Sequence, residues 1–65
     1  MILDATDHGS VWLFDPADDD AKEWIAETAP DDAMYHGTAL AVEANCVDGF
    51  AAAFENAGGI INFQA

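Results

Sequence analysis

Two apolar stripes with helical spacing constrain the fold of this chain more than any other feature. One stripe consists of Ala21, Trp24, Ile25 and Thr28, and the other of Val47, Phe50, Ala51 and Phe54. Both follow the i, i+3, i+4, i+7 pattern of a helix that buries one face. Asp15 or Asp18 is expected to cap the first helix, and Asn45 the second. Pro30 and the pair Gly58 and Gly59 are expected to end them.

Short segments rich in β-branched and aromatic residues flank the two predicted helices. Strands are predicted at residues 9–14, 33–36, 38–44 and 60–63, and a turn at Gly37 makes the middle two a hairpin. The order β-α-β-β-α-β predicts an α+β fold with two helices on one face of a small antiparallel sheet, the ferredoxin-like split βαβ arrangement. A single domain, residues 1–65, is expected at this length.

Alternation along the first predicted strand leaves apolar side chains on both faces of the sheet. Val11 and Leu13 point one way, while Trp12 and Phe14 point the other. Because the helices cover one face only, aromatic side chains are expected on the open face, where they would mark an interface. Alternatively, strand twist, the termini or loops cover them, and the sequence leaves both possibilities open.

Composition argues against several classes of protein. Thirteen acidic residues against one lysine give a net charge of −12, which repels nucleic acid and anionic membranes. With 52% hydrophobic residues, a folded core is favoured over disorder. The single cysteine, Cys46, rules out an internal disulfide and favours a reducing compartment. No signal peptide or membrane span is predicted. We therefore expect a soluble, cytoplasmic protein whose partners have basic surfaces.

The sequence contains no catalytic or metal-binding motif. Asp15 and the run 18–20 offer carboxylates to a hard cation, but the calcium-loop spacing is absent, and aspartates also collect at helix N-termini because of the helix dipole. His8, His36 and Cys46 lack the paired spacing of zinc ligands or of a Cys–His nucleophile pair. No catalytic residue, cofactor or metal is predicted, and an enzyme is the least favoured class. A metal-binding domain that uses the aspartates of residues 15–20 with His8 or His36 is kept as a less favoured alternative.

Acidic residues are concentrated between residues 15 and 32, on one side of the first predicted helix. Asp19, Glu23 and Glu27 repeat at i, i+4, i+8, where like charges repel by roughly a few tenths of a kcal/mol per pair. A surface that keeps such charges together is expected to bind a basic partner. The predicted partner-binding acids are Asp15, Asp18, Asp19, Asp20, Glu23, Glu27, Asp31 and Asp32, with Trp12, Phe14 or Tyr35 as apolar anchors.

Three interpretations of this acidic surface are open. A nucleic-acid mimic would place its carboxylates in a basic groove that normally holds phosphates. A small domain from a halophile would carry the same Asp-rich, Lys-poor surface as a general adaptation, and the 14 alanines fit that interpretation too. The third possibility is another acidic interaction module, such as an antitoxin-like partner or a small adaptor.

In length, charge, absence of arginine and the stretch DPADDDAKEWIAETAPDD, the chain resembles the small acidic anti-CRISPR proteins of phages and mobile elements. Several of those proteins block type I interference complexes by occupying the basic surface that reads the PAM or holds target DNA. The resemblance implies a non-catalytic Cas inhibitor in the cytoplasm of a bacterial host. It would bind a Cas subunit, without direct binding of nucleic acid or membrane, as a monomer or weak homodimer. Since these families share neither one fold nor one set of functional residues, only the idea of DNA mimicry is transferred.

Overall fold

The chain forms a five-stranded sheet and two α-helices in a computed structural model that describes residues 1–64. The strands are β1 (Ile2–Asp7), β2 (Val11–Pro16), β3 (Met34–His36), β4 (Ala39–Glu43) and β5 (Ile60–Gln64), and the helices are α1 (Asp19–Thr28) and α2 (Val47–Asn56). The predicted α+β class is confirmed. No helix within the described residues is long and apolar enough to cross a membrane.

The sheet is mixed, which corrects the wholly antiparallel sheet that the sequence predicted. Its strand order is β3-β4-β2-β1-β5, and every neighbouring pair is antiparallel except β1 and β5, which run parallel. The added strand is β1, to which the sequence analysis assigned no element. It lies between β2 and β5, so the four-strand ferredoxin-like order is not confirmed. The sequence of β1 predicts a strand only weakly. On its buried face only Leu3 and Ala5 are apolar, and alanine and aspartate are poor strand formers.

The second helix begins differently from the prediction. A 3₁₀ turn, Ala44–Cys46, precedes α2, and Asn45 lies inside that turn. Cys46 occupies the N-cap position and makes no side-chain capping hydrogen bond. The predicted cap at Asn45 is therefore wrong, and the helix is held by the burial of Val47, Ala51 and Phe54.

The core lies between the sheet and both helices. Phe14, Phe54 and Leu3 are the largest fully buried side chains. Trp24 of α1 packs edge-on against Phe50 and Phe54 of α2, with ring centroids 5.7 and 5.0 Å apart. Both helices thus cover the same face of the sheet, and the two stripes identified in the sequence form their buried sides, except that Thr28, at the end of α1, is exposed.

The open face of the sheet is aliphatic rather than aromatic. Directly paired residues share a face, and Phe14 is paired with Leu40, a buried core residue, so β2 turns Trp12 and Phe14 towards the helices. The open face instead carries Val11, Leu13 and Ala41 from neighbouring strands. Of the possibilities that the sequence left open, the one that places aromatic side chains of β2 on the open face is therefore excluded.

A Schellman motif ends α2 and sets the path into β5. Gly58 has a φ of 95°, and its N–H donates to the carbonyl of Glu55 while the N–H of Gly59 donates to that of Phe54. A Cβ at Gly59 would overlap the ring of Phe54, which is fully buried and has no room to withdraw. Gly49, within α2, has open space at the same position.

We expect opposite effects from Gly59→Ala and Gly49→Ala in urea unfolding. The first should lower the free energy of unfolding by about 1–3 kcal/mol, because the added methyl overpacks the core. The second should raise it by up to about 1 kcal/mol, because alanine is the better helix former. Equal effects of the two substitutions would show that Gly59 is not in contact with Phe54.

Candidate protein-binding surface

Helix α1 carries four exposed carboxylates on the side that faces away from the sheet. At about 100° per residue, Asp19, Asp20, Glu23 and Glu27 fall within an arc of about 100°, and the centre of that arc is almost opposite the buried pair Ala21 and Ile25. We call these four residues the acidic face. Packing of the apolar stripe therefore determines where the acidic face points.

A shallow groove of about 350 Å³ runs along one edge of the acidic face. Its lining consists of Met1, Asp20, Glu23, Trp24, Glu27 and Ala57. Trp24 is only partly buried, so the groove combines three carboxylates with an accessible edge of an indole ring. Sequence reasoning assigned Trp24 to the core alone. Helical spacing was sufficient to predict that Trp24 lies beside the acidic face, since it is about 40° from Asp20 around the helix axis.

Asp18 has a structural role and does not belong to the acidic face. Its Oδ1 accepts hydrogen bonds from the backbone N–H of Ala21 at 2.9 Å and of Ile2 at 3.4 Å, and its Oδ2 lies 3.5 Å from the N-terminal amine of Met1. The hydrogen bond from Ala21 holds the pKa of Asp18 below its ordinary value, against a smaller opposing effect of desolvation. Asp18 thus caps α1 and ties β1 to it.

Asp15 also lies apart from the acidic face, although the sequence grouped the two together. It is in β2, opposite Asp4 of β1, and its carboxylate accepts a hydrogen bond of 2.7 Å from the hydroxyl of Thr38. Asp31 and Asp32 are exposed in the turn between α1 and β3, where they extend the negative surface past the end of the helix.

The predicted aromatic anchors are not brought together with the acidic face. Phe14 is fully buried, and Trp12 packs edge-on against Phe63 with ring centroids 5.8 Å apart. Tyr35 is 48% exposed and lines a pocket of about 260 Å³ together with Lys22, on another side of α1. Phe14 cannot contact a partner in this fold, and Trp24 is the aromatic residue next to the acidic face.

Nothing in the described part of the chain neutralises the acidic face. The single ion pair found in residues 1–64 joins the N-terminal amine to Asp18. Lys22 makes no ion pair there, and no three His, Cys, Asp or Glu side chains are grouped as metal ligands within that range. The exposed carboxylates of the acidic face therefore have no ion-pair partner within residues 1–64.

No family model, curated protein or solved structure matches this chain.

We expect Asp18→Ala to lower Tm by about 4–8 °C, because the first turn of α1 loses its cap. The control is Asp19→Ala, which removes one exposed carboxylate from the next position and should change Tm far less.

The effect of Asp18 should also depend on pH, because the pKa of Asp18 is lower in the folded chain than in the unfolded one. Its contribution to stability is present above the unfolded-state pKa of about 3.9 and is lost as pH falls through the folded-state pKa. The difference in Tm between wild type and Asp18→Ala should therefore shrink in acid, and a difference that stays constant across this range would contradict the assignment.

Proposed function

We propose that the protein is a non-catalytic inhibitor of the anti-CRISPR type that acts as an acidic mimic of DNA. Its acidic face would occupy the basic surface on which a Cas subunit of a type I interference complex reads the PAM or holds target DNA. The observation that carries the proposal is the position of four exposed carboxylates on the side of α1 opposite its buried residues, where no ion pair within residues 1–64 engages them.

The carboxylates of the acidic face are spaced along α1 much as phosphates are spaced along a nucleic-acid strand. Asp19, Glu23 and Glu27 are each four residues apart, which places them about 6 Å apart along the helix axis, comparable to the separation of neighbouring phosphates in a strand. Lysine and arginine side chains that neutralise phosphates would meet carboxylates in a similar array. Binding would release the counterions that both surfaces hold when free.

Electrostatic repulsion within α1 also favours a basic partner. Like charges at i, i+4 destabilise a helix by roughly a few tenths of a kcal/mol per pair, and Lys22 is the only lysine in the chain. A basic groove would place positive charges beside these carboxylates, and their attraction to the carboxylates would offset the repulsion within α1. Trp24 would add an apolar contact at the edge of the same surface, where aromatic residues commonly anchor protein interfaces.

Competition with DNA tests the proposal directly. Purified type I interference complexes are incubated with labelled target DNA and increasing amounts of the protein, and bound DNA is measured by gel shift. The protein should displace DNA from at least one complex, and displacement should weaken steeply with added salt. If the protein binds a complex while DNA remains bound with unchanged affinity, mimicry is the wrong mechanism.

Charge reversal on the acidic face should weaken this binding by at least ~10-fold. The variant is Asp19→Lys with Glu23→Lys, which should fold normally because both side chains are exposed. Its control, Glu43→Lys with Asp48→Lys, makes the same change in net charge at exposed positions outside α1. Equal losses in the two variants would mean that net charge, and not the acidic face, governs binding.

A second candidate, a salt-adapted domain of a halophile, is favoured by the spread of acids over the whole fold. Exposed carboxylates also occur outside α1, at Asp7 in β1, Glu43 in β4, and Asp48 and Glu55 in α2. In that case the acidic face would be one part of a more extensive acidic surface.

Thermal melts in dilute buffer and in multimolar salt separate the two candidates. A salt-adapted domain should be unfolded in dilute buffer, because nothing screens its net charge of −12. A DNA mimic that works at ordinary ionic strength should unfold cooperatively both in dilute buffer and in multimolar salt. Circular dichroism at 222 nm is a sufficient measurement.

A further inference from the structure

The last described strand, β5, is an unprotected sheet edge. It pairs with β1 on one side and with no other strand of residues 1–64 on the other. Proteins usually guard such an edge with charged residues, a proline, a bulge or a covering segment, because its free N–H and C=O groups can pair with another strand. Residues 56–64 contain no charged residue and no proline, although the rest of the chain carries fourteen charged side chains.

Apolar side chains are exposed along this edge. Ile60 is 61% exposed and Phe63 is 53% exposed. The opposite edge of the sheet, β3, is only three residues long and follows Asp31 and Asp32. β5 thus differs from β3 in its length of five residues and in the absence of charged residues from the segment that leads into it.

The hydrogen bonds of β1 fix which groups of β5 face outwards. The N–H of Ile60 donates to the carbonyl of Met1 at 2.9 Å, so Ile60, Asn62 and Gln64 turn their backbone groups towards β1. Ile61 and Phe63 consequently present their N–H and C=O groups at the free edge. The side chains of β5 alternate between the two faces of the sheet. On the helix-covered face, Ile61 packs against the core and Phe63 against Trp12. On the open face, the side-chain amide of Asn62 donates a hydrogen bond to the carboxylate of Asp4.

We propose that β5 pairs with β5 of a second copy of this chain, antiparallel and with a two-fold axis at Asn62. In this register Ile61 of each copy is opposite Phe63 of the other, as hydrogen-bonded pairs that use the four outward N–H and C=O groups of each chain. Asn62 faces its own symmetry mate as a non-hydrogen-bonded pair. Two five-stranded sheets become one continuous sheet, and each Phe63 gains an apolar neighbour in Ile61 of the other copy.

The absence of charge along β5 favours a second copy over a basic partner at this site. A basic protein is attracted to the acidic surfaces elsewhere and gains no charge contact from residues 56–64. Two copies that each carry −12 repel one another, and an approach along their uncharged strands keeps the acidic surfaces furthest apart. The pairing is self-complementary, as a two-fold interface requires.

Disulfide trapping tests the register. In a Cys46→Ala background, which removes the exposed native thiol, Asn62→Cys should form a crosslinked dimer on mild oxidation, because Cα atoms of a non-hydrogen-bonded pair lie about 4.5 Å apart, within disulfide range. Gln64→Cys is the matched control, since its symmetry mate would lie several residues further along the strand. Equal crosslinking at both positions, or none at Asn62→Cys, would overturn the proposed pairing.

Sedimentation equilibrium tests the dimer without crosslinks. Phe63→Asp should raise the dimer dissociation constant at least ~10-fold, and Ile60→Asp, at an exposed side chain that contributes little to the core, provides a second variant should the first fail to fold. Tyr35→Asp adds the same charge at the β3 edge and should leave the dissociation constant unchanged. An equal weakening by Tyr35→Asp, or a wild type that stays monomeric at all concentrations, would refute the β5 interface.

Salt distinguishes this inference from the proposed function. Dimerisation should tighten at least ~10-fold between about 0.05 M and about 1 M NaCl, because screening removes repulsion between like-charged copies. Binding to a basic partner should weaken over the same range. Either result can fail while the other holds, so the two proposals are tested separately.

Discussion

The rest of the structure depends on the packing of Phe14 in the core. Phe14 lies in β2, the middle strand of the sheet, and is paired with Ala5 on one side and Leu40 on the other. Its ring meets that of Phe50 in α2, with centroids 4.7 Å apart. One side chain therefore joins three strands to a helix. Full burial of an aromatic or large aliphatic side chain contributes about 1.5–3 kcal/mol, a large share for a domain of this size.

This core explains how α1 can carry so many like charges. Each repulsive pair on the acidic face costs roughly a few tenths of a kcal/mol. Burial of Ile25 and Ala21, together with the packing of Trp24 on α2, outweighs that cost by several-fold. The N-terminal end of the helix is further held by Asp18, whose negative charge is favourable there because it meets the helix dipole, the N–H of Ala21 and the terminal amine. Asp19 and Asp20 lie in the same first turn, where the helix dipole also favours negative charge. Glu23 and Glu27 lie beyond that turn and make no hydrogen bond or ion pair within the described residues.

The sequence predicted those parts of the fold that depend on local patterns. Both helices, the hairpin of β3 and β4 and the final strand follow from apolar spacing and turn residues. The strand β1 was missed because Asp4 and Asp7 interrupt it, and its assignment depends on pairing with β2 and with β5, the latter more than fifty residues away. Within the candidate site, helical spacing was sufficient to place Asp19, Asp20, Glu23 and Glu27 on one side. The sequence also offered Asp15 and Asp18 as alternative caps of this helix, and Asp18 is the residue that caps it. The sequence could not predict the contact of Asp15 with Thr38 or of Asp18 with the N-terminus, because only the folded chain brings those groups close.

The two proposed interactions use different surfaces and can coexist. The acidic face projects from α1, whereas the β5 edge lies in the plane of the sheet, so a dimer would leave both acidic faces exposed. The dimer would carry twice the net charge of −12 of one chain. It could bind two basic sites, or two parts of one long basic groove. Once one acidic face is bound, the continuous sheet would hold the other at a high effective concentration near its own site. Screening acts on the two interactions in opposite directions, since it favours the dimer and weakens partner binding. A basic partner would itself supply positive charge between the two copies, and so would favour the dimer at salt concentrations where the free protein is monomeric. Occupancy of the acidic faces and pairing of the β5 strands would then be thermodynamically coupled, each raising the affinity of the other.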